Sequence, residues 1–372
     1  MRLPALISRG PIAGMLLLAY MSAAHAAIYE LPATGTDVVG EITTVVARYE
    51  DTLVDLARTH GVGYQDIVRA NPDVDVWIPG EGTEVVLPTR YILPPGPREG
   101  IVLNLAEYRL YYYPEPRAGE TPVVMTYPIS IGRQDWETPL GQTRVTAKAV
   151  NPTWYPPQSV RDEHAAEGRP LARVVPPGPE NPLGSRAMRL SLPGYLIHGT
   201  NRPAGVGMRV THGCVRMFPE DIEYLFELVA IDTKVRIINE PVKIGWQGDE
   251  LLIEVHPVLA SGPTTDEPLP PSEQDDETDG EAEAASTTLV SNDVADGSPA
   301  EIEELVDEEL TDSAFAEKDA LTYVTERFIV ATAQRPGQLD WTLVERVVER
   351  ADGMPVTAGE GIKNAATGAA SE

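Results

Sequence analysis

The sequence predicts a mainly β protein: a strand-rich sandwich with a small α/β unit before it and an acidic tail after it. Three observations carry that expectation. Short runs suited to a pleated surface recur between residues 101 and 238, with one helix pattern among them. A strand–helix–helix–strand pattern fits within residues 42–88. Beyond Pro257 the chain turns acidic and poor in aromatics, the composition of a disordered segment.

In chain order, residues 1–26 read as an export signal. Arg2 and Arg9 give a positive start, 12–24 is apolar apart from Gly14 and Ser22, and Ala24-His25-Ala26 offers a small-x-small cleavage site. The apolar run is short for a bilayer span, so cleavage and export of a soluble protein are expected. In 42–88, Asp51 or Thr52 is placed to cap a helix whose Leu53, Leu56 and Ala57 share one face. Gly61-Val62-Gly63 turns the chain, and Tyr64, Ile67 and Val68 begin a second helix that Asn71-Pro72 stops. Residues 83–87 close the unit as a strand, and 91–100 is a Pro- and Gly-rich linker.

The next unit spans 99–240. Strands are expected at 101–105, 109–113, 123–131, 141–150, 187–192, 195–197 and 234–238. The helix at 220–229 has Ile222, Leu225, Phe226 and Val229 as an apolar stripe and Pro219 at its first turn. A C-terminal extension at 241–258 reads as a hairpin turning at Gln247-Gly248-Asp249. The linker 259–312 is acidic: between Ser261 and Asp312 there are 18 acidic residues and no lysine or arginine. Without that stretch the formal charge of −28 drops to −10, so the acidity is local; it argues against nucleic acid as a partner. In the tail, 313–372, helix patterns at 313–333 and 339–351 suggest an appended helical hairpin, with Trp341, Leu343, Val344, Val347 and Val348 on one face.

Chemistry concentrates at the single cysteine, Cys214, in Thr211-His212-Gly213-Cys214-Val215-Arg216. One thiol in an exported chain forms no internal disulfide, which leaves a buried spectator or a nucleophile. A nucleophile needs an imidazole or backbone dipoles beside it. His198 ends the apolar run Leu196-Ile197, and a glycine-rich loop at 205–210 brings the chain back toward Cys214. Gly213 would allow a tight turn that aims backbone N–H groups at a developing oxyanion. The bland alternatives are a structural histidine, a turn glycine and a surface arginine at 216. Zinc on His198, His212 and Cys214 lacks a fourth ligand, so no metal is expected. No phosphate-binding glycine loop is present, and no cofactor is expected.

Two resemblances attach to these residues. Tyr49, Asp51-Thr52-Leu53, Leu56-Ala57, Asn71-Pro72, Ile78-Pro79-Gly80 and Val86-Leu87-Pro88 resemble a LysM module, with Glu50 where that module usually has glycine. The resemblance implies binding of N-acetylglucosamine-containing glycans such as peptidoglycan. His198, then Thr211-His212-Gly213-Cys214 and Arg216, resemble the catalytic signature of the L,D-transpeptidase family (YkuD-like domain). Asn104-Leu105, Leu110-Tyr111-Tyr112, Thr138-Pro139-Leu140-Gly141, Asn151-Pro152-Thr153-Trp154, Asn181-Pro182-Leu183-Gly184, Pro241-Val242-Lys243 and Glu254-Val255-His256-Pro257 resemble its periplasmic, LysM-containing branch.

That likeness, over about 42–258, implies a β-sandwich catalytic domain in a periplasmic enzyme. By it Cys214 is the nucleophile and His198 the general base, oriented by the Gly199 carbonyl. His212 and Gly213 shape the oxyanion site, Arg216 and Thr211 meet the substrate, and Tyr108, Trp154 and the loop 161–173 wall it. The donor would be a peptidoglycan tetrapeptide stem, attacked at its third residue with loss of D-alanine. The acceptor would be a second stem, the lysine of an outer-membrane lipoprotein or a free D-amino acid. Water as acceptor would make the protein an L,D-carboxypeptidase, and an inert site would make it a cell-wall binding protein. The module would raise local substrate concentration without touching the chemistry.

Overall fold

The computed structural model describes residues 27–133, 136–166, 168–259, 289–290 and 319–362. The expected signal (1–26) and nearly all of the acidic linker lie outside the described residues. Among the described residues no helix is long and apolar enough to cross a membrane.

The chain opens with β1 (Ala27–Glu30), which pairs antiparallel with a later strand; the sequence reading had no element there. Then β2 (Val38–Val46), α1 (Leu53–Thr59), α2 (Tyr64–Ala70) and β3 (Glu84–Ile92) form one small unit. Strands β2 and β3 pair over their full length, from Val38↔Ile92 to Val46↔Glu84. Thr52 caps α1 by accepting from the Asp55 N–H, and Leu53, Leu56 and Ala57 are buried beneath it. The sequence reading stopped the unit at 88 and made 91–100 a linker. Instead β3 runs through Tyr91 and Ile92, and Tyr91 and Leu93 are buried against Val39, Val102, Tyr111, Tyr113 and Val124. Three consecutive large apolar residues at 91–93 bury more readily than they remain in solvent.

The central unit comprises β4 (Gly100–Asn104), β5 (Arg109–Tyr113), β6 (Val123–Pro128), β7 (Ile131–Gly132), β8 (Gly141–Val150), β9 (Trp154–Tyr155), α3 (Gln158–Ala166), β10 (Arg186–Leu190), β11 (Leu196–His198), β12 (Arg209–Thr211), β13 (Val215–Arg216), α4 (Pro219–Leu228) and β14 (Lys234–Ile238). Nine strands join one mixed sheet in the order β1-β6-β5-β4-β14-β8-β10-β11-β13. Its last strand is bridged back to Ser130, just after β6, by Arg216↔Ser130. The mainly β class holds: β8 pairs with β14 over 141–144 and with β10 over 145–150, joining two halves of the sheet whose side chains meet in one core. Ile101, Leu103, Leu110, Tyr127, Ile197, Val215 and Val235 fill its interior, and α4 covers it with Ile222, Leu225 and Phe226.

The C-terminal part differs most from expectation. Strands β15 (Val242–Gln247) and β16 (Glu250–Val255) form the expected hairpin, but they are not a separate extension. After β17 (Leu289–Val290), which pairs parallel with β9, come α5 (Ala320–Thr332), β18 (Gly337–Leu339), α6 (Trp341–Arg350) and β19 (Val356–Gly361). The sheet order is β15-β16-β19-β18, so the tail is an α/β unit completed by the hairpin rather than a helical hairpin. Val242, Ile253 and Val255 give the hairpin an apolar face, which Val324 of α5 and Val344 and Val347 of α6 cover.

A buried polar network joins the three parts. The Lys243 ammonium lies between the Glu107 and Glu254 carboxylates, 2.7 Å from Glu254, with all three side chains at most 1% exposed. Tyr111 and Asn104 donate to Glu107 at 2.9 and 2.7 Å, and the Ile92 N–H donates to Glu254 at 2.7 Å. Burial alone would push the lysine down, but attraction to the two carboxylates holds its pKa above the usual value. Burial pushes the neighbouring His256, 2.8 Å from Glu254, down to about 4, so it stays neutral at pH 7. Glu107, Glu254 and His256 are cation-ligand types within reach of one another, but Lys243 already supplies the positive charge. Lys243→Ala strands two carboxylates without it. It should destabilise the fold by about 3–5 kcal/mol, read from the urea midpoint.

Candidate active site

Strands β11 and β13 run parallel, with Ile197↔Val215 and His198↔Arg216 in register. The Met217 N–H donates to the His198 carbonyl at 2.9 Å and extends that pairing. The site is therefore built where the chain leaves one strand at His198 and re-enters its neighbour just after Cys214. Side chains two apart on a strand share a face, and His198 lies level with Ala187, which is level with Ala149. Ala149, Ala187, Leu196 and Cys214 belong to one buried cluster with Trp154, Val160 and Leu183. Cys214 thus packs on the face that carries His198. Both are fully buried.

His198 Nδ1 lies 2.6 Å from the Gly199 carbonyl oxygen. A carbonyl only accepts, so Nδ1 carries the proton and Nε2 is the basic nitrogen of the ring. A Cβ on Gly199 would come within 3.0 Å of Ile222 Cγ2, so the residue after the histidine lies tight against α4.

Hydrogen bonds fix the turn before Cys214 at three points. The Thr211 hydroxyl donates to the Cys214 carbonyl at 2.6 Å and accepts from the Gly213 N–H at 3.3 Å. The Thr138 hydroxyl donates to the Gly213 carbonyl at 2.8 Å and accepts from the Gly132 N–H at 3.1 Å. Gly213 has φ +100°, and a Cβ there would lie 2.8 Å from Tyr195 Cε1. Only glycine suits this position, by conformation and by space. The Cys214 thiol is 3.6 Å from the Gly194 carbonyl.

His212 faces a different set of groups. Its Nε2 is 2.7 Å from Glu163 on α3, whose other oxygen accepts from Arg133 at 2.5 Å. The imidazole meets Trp136 edge to face, with ring centroids 5.0 Å apart. Partial burial would raise Glu163, but hydrogen bonds from Arg133 and His212 outweigh it and hold the carboxyl below its usual range. Glu163 is therefore ionised at neutral pH and clamps α3 to His212, two residues before Cys214. Glu163→Gln removes the charge from this clamp. We expect it to slow Cys214 acylation roughly tenfold with little change in melting temperature, measured by stopped flow and thermal unfolding.

The structure thus brings together Cys214, His198, Gly199, His212 and Gly213, with Trp154 walling the cluster. Thr211 was expected to meet substrate; it is fully buried, and its hydroxyl holds the turn instead. Arg216 is also buried, and its Nη1 lies 3.9 Å from where a Gly205 Cβ would be, so it is directed toward the connecting loop. Tyr108 is not brought to the cysteine. It occupies the central core in a left-handed conformation, φ +47°, with the Arg69 guanidinium 5.9 Å from its ring. The expected loop 161–173 begins as helix α3. Glu163 falls inside the expected wall 161–173 without being singled out, and no motif in a single sequence marks Arg133 or Tyr195. Thr138 lay within Thr138-Pro139-Leu140-Gly141, one of the stretches already matched.

The sequence model of the L,D-transpeptidase catalytic domain (YkuD) matches residues 98–237. The chain is 42% identical over 243 residues to the probable L,D-transpeptidase YcfS of Escherichia coli K12, covering 64% of this chain and 75% of that protein. It is 41% identical over 253 residues to the probable L,D-transpeptidase YbiS of the same organism, covering 67% of this chain and 81% of the relative. It is also 42% identical over 250 residues to the probable L,D-transpeptidase ErfK/SrfK of Salmonella typhimurium, covering 66% and 79%.

Proposed function

Because the chain belongs to the L,D-transpeptidase family, whose members act on peptidoglycan, we propose that it is a periplasmic cysteine transpeptidase with Cys214 as nucleophile. The single observation that carries the mechanism is the 2.6 Å contact from His198 Nδ1 to the Gly199 carbonyl. It selects the tautomer whose Nε2 accepts a proton, on the face where Cys214 packs.

In the first half-reaction Nε2 takes the thiol proton as Cys214 Sγ bonds to the carbonyl carbon of the third stem residue. The oxyanion forms beside the Gly213 turn, where backbone N–H groups would stabilise it. When the tetrahedral adduct collapses, the C–N bond to D-alanine breaks, and His198 returns its proton to the departing amine. In the second half an acceptor amine loses a proton to Nε2 and attacks the thioester, and the thiol is released. The thioester conserves the energy of the broken peptide bond, so no nucleotide is required.

The β2–α1–α2–β3 unit supports a LysM reading, with glycan binding at its open end. There Tyr49 and Ile78 are 85% and 77% exposed, as a sugar platform requires. The export-signal pattern in the sequence of residues 1–26 supports the periplasmic placement. The acceptor is read as the amine of a second stem or of a lipoprotein lysine. Incubation with tetrapeptide muropeptides followed by mass analysis tests the assignment. Crosslinked dimers, or stems joined to an added amine, support a transferase. Tripeptides alone would make the protein a hydrolase, and unchanged tetrapeptides would make the site inert.

A further inference from the structure

The loop between His198 and Cys214 is held from two sides. On one side the central sheet grips it: Ser130 Oγ donates to the Gly205 carbonyl at 2.7 Å, and the Ile131 N–H donates to Met208 at 3.1 Å. On the other side lies the N-terminal βααβ unit. The Tyr64 N–H donates to the Val206 carbonyl at 3.0 Å, and the Gln65 N–H reaches Gly207 at 3.4 Å. Tyr64 is buried with Met208 and Val210. Gly207, at φ +95°, lies so close that a Cβ would be 2.3 Å from the Tyr64 nitrogen. No side chain fits between the two backbones.

Two ion pairs fix the same docking. Asp66 of α2 meets Arg109 of β5 at 3.0 Å, and both side chains are at most 10% exposed. Arg58 of α1 makes a two-pronged contact with Glu220 at the start of α4, at 2.8 and 2.9 Å. Glu220 follows Cys214 by six residues, so the unit grips the chain on both sides of the nucleophile. A flexibly tethered glycan anchor requires none of these contacts. They give the N-terminal unit a physical route to the chemistry that a flexible tether would lack.

We propose that the N-terminal unit is a positioning element of the active site: through Tyr64, Asp66 and Arg58 it holds the 203–210 loop and the start of α4, and so sets the placement of Cys214 against His198. The inference rests on the cysteine mechanism proposed above. Small displacements of reacting groups cost up to about 100-fold in rate, which is the scale at issue.

The test uses the full chain and a carbapenem, a small acylating probe that carries no glycan. Arg58→Ala and the double variant Arg58→Ala/Asp66→Asn are compared with wild type for the maximal acylation rate, the half-saturating probe concentration and the pH–rate profile. We expect the double variant to lose roughly 10- to 100-fold in maximal rate, with an altered pH profile and little change in half-saturation. Arg58→Ala, which removes only the partly exposed pair, should show a smaller loss in the same direction and serves if the double variant does not fold. Trp341→Ala, on the distant C-terminal unit, controls for general destabilisation and should keep the wild-type rate. Wild-type rates and pH profiles in the Arg58 and Asp66 variants would overturn the inference alone. A wild-type protein that takes no adduct at Cys214 would overturn the cysteine mechanism itself.

Discussion

Cys214→Ala should abolish both the acyl-enzyme and the transferred product, a loss on the order of 10⁴–10⁶-fold, the scale seen when a nucleophile is removed from a working triad. The substitution suits the site. Cys214 is fully buried among Ala149, Trp154, Val160, Ala187 and Leu196, and alanine fills most of its volume in apolar surroundings. The turn before it is fixed by Thr211, Thr138 and the φ of Gly213, none of which depends on the sulfur. The melting temperature should therefore shift by only a few degrees, since losing one small buried group costs about 1 kcal/mol. Product analysis and thermal unfolding on the same preparation separate loss of chemistry from loss of fold. Residual crosslinking by this variant would remove Cys214 from the mechanism.

The second large effect is at His198. His198→Ala deletes the imidazole whose Nδ1 is tied to the Gly199 carbonyl, and general-base assistance is worth roughly 10²–10⁴-fold. Both half-reactions need this proton acceptor, so the loss should appear in acylation and in transfer alike. His212 provides the internal comparison. Its Nε2 faces Glu163 at 2.7 Å and Arg133 at 3.1 Å, so that nitrogen is occupied away from the thiol. Single-turnover acylation followed by quenched-flow transfer would show the pattern: both steps slow together in His198→Ala. Slowing of transfer alone would mean that another group activates the thiol.

Much of this was legible in the sequence because it is local. Strand β8 at Gly141–Val150, the Thr52 cap of α1, the Pro219 start of α4 and the β15–β16 hairpin depend on composition and spacing within a few residues. The same holds for the heart of the site, since Thr211, His212, Gly213 and Cys214 are contiguous and the Nδ1 acceptor of His198 is its own neighbour. What escaped is set by tertiary contacts. Glu163 and Arg133 meet His212 from 49 and 79 residues away, and α3 buries only Val160 and His164, too few to give a periodic signal. Strands β18 and β19 contain three glycines between them and read as loop until the apolar face of β15–β16 demands cover. Residues 91–93 misled in the opposite way, because the prolines that follow them masked the end of a buried strand.

The central claim is that Cys214 carries the acyl group between donor and acceptor. Intact-protein and peptide mass spectrometry after brief incubation with a tetrapeptide muropeptide tests it most directly. The account predicts an adduct with the mass of the donor less D-alanine, confined to the peptide containing Cys214, sensitive to hydroxylamine and discharged when an acceptor amine is added. Crosslinked product formed without any such adduct on that peptide, or an adduct on a different residue, would contradict it.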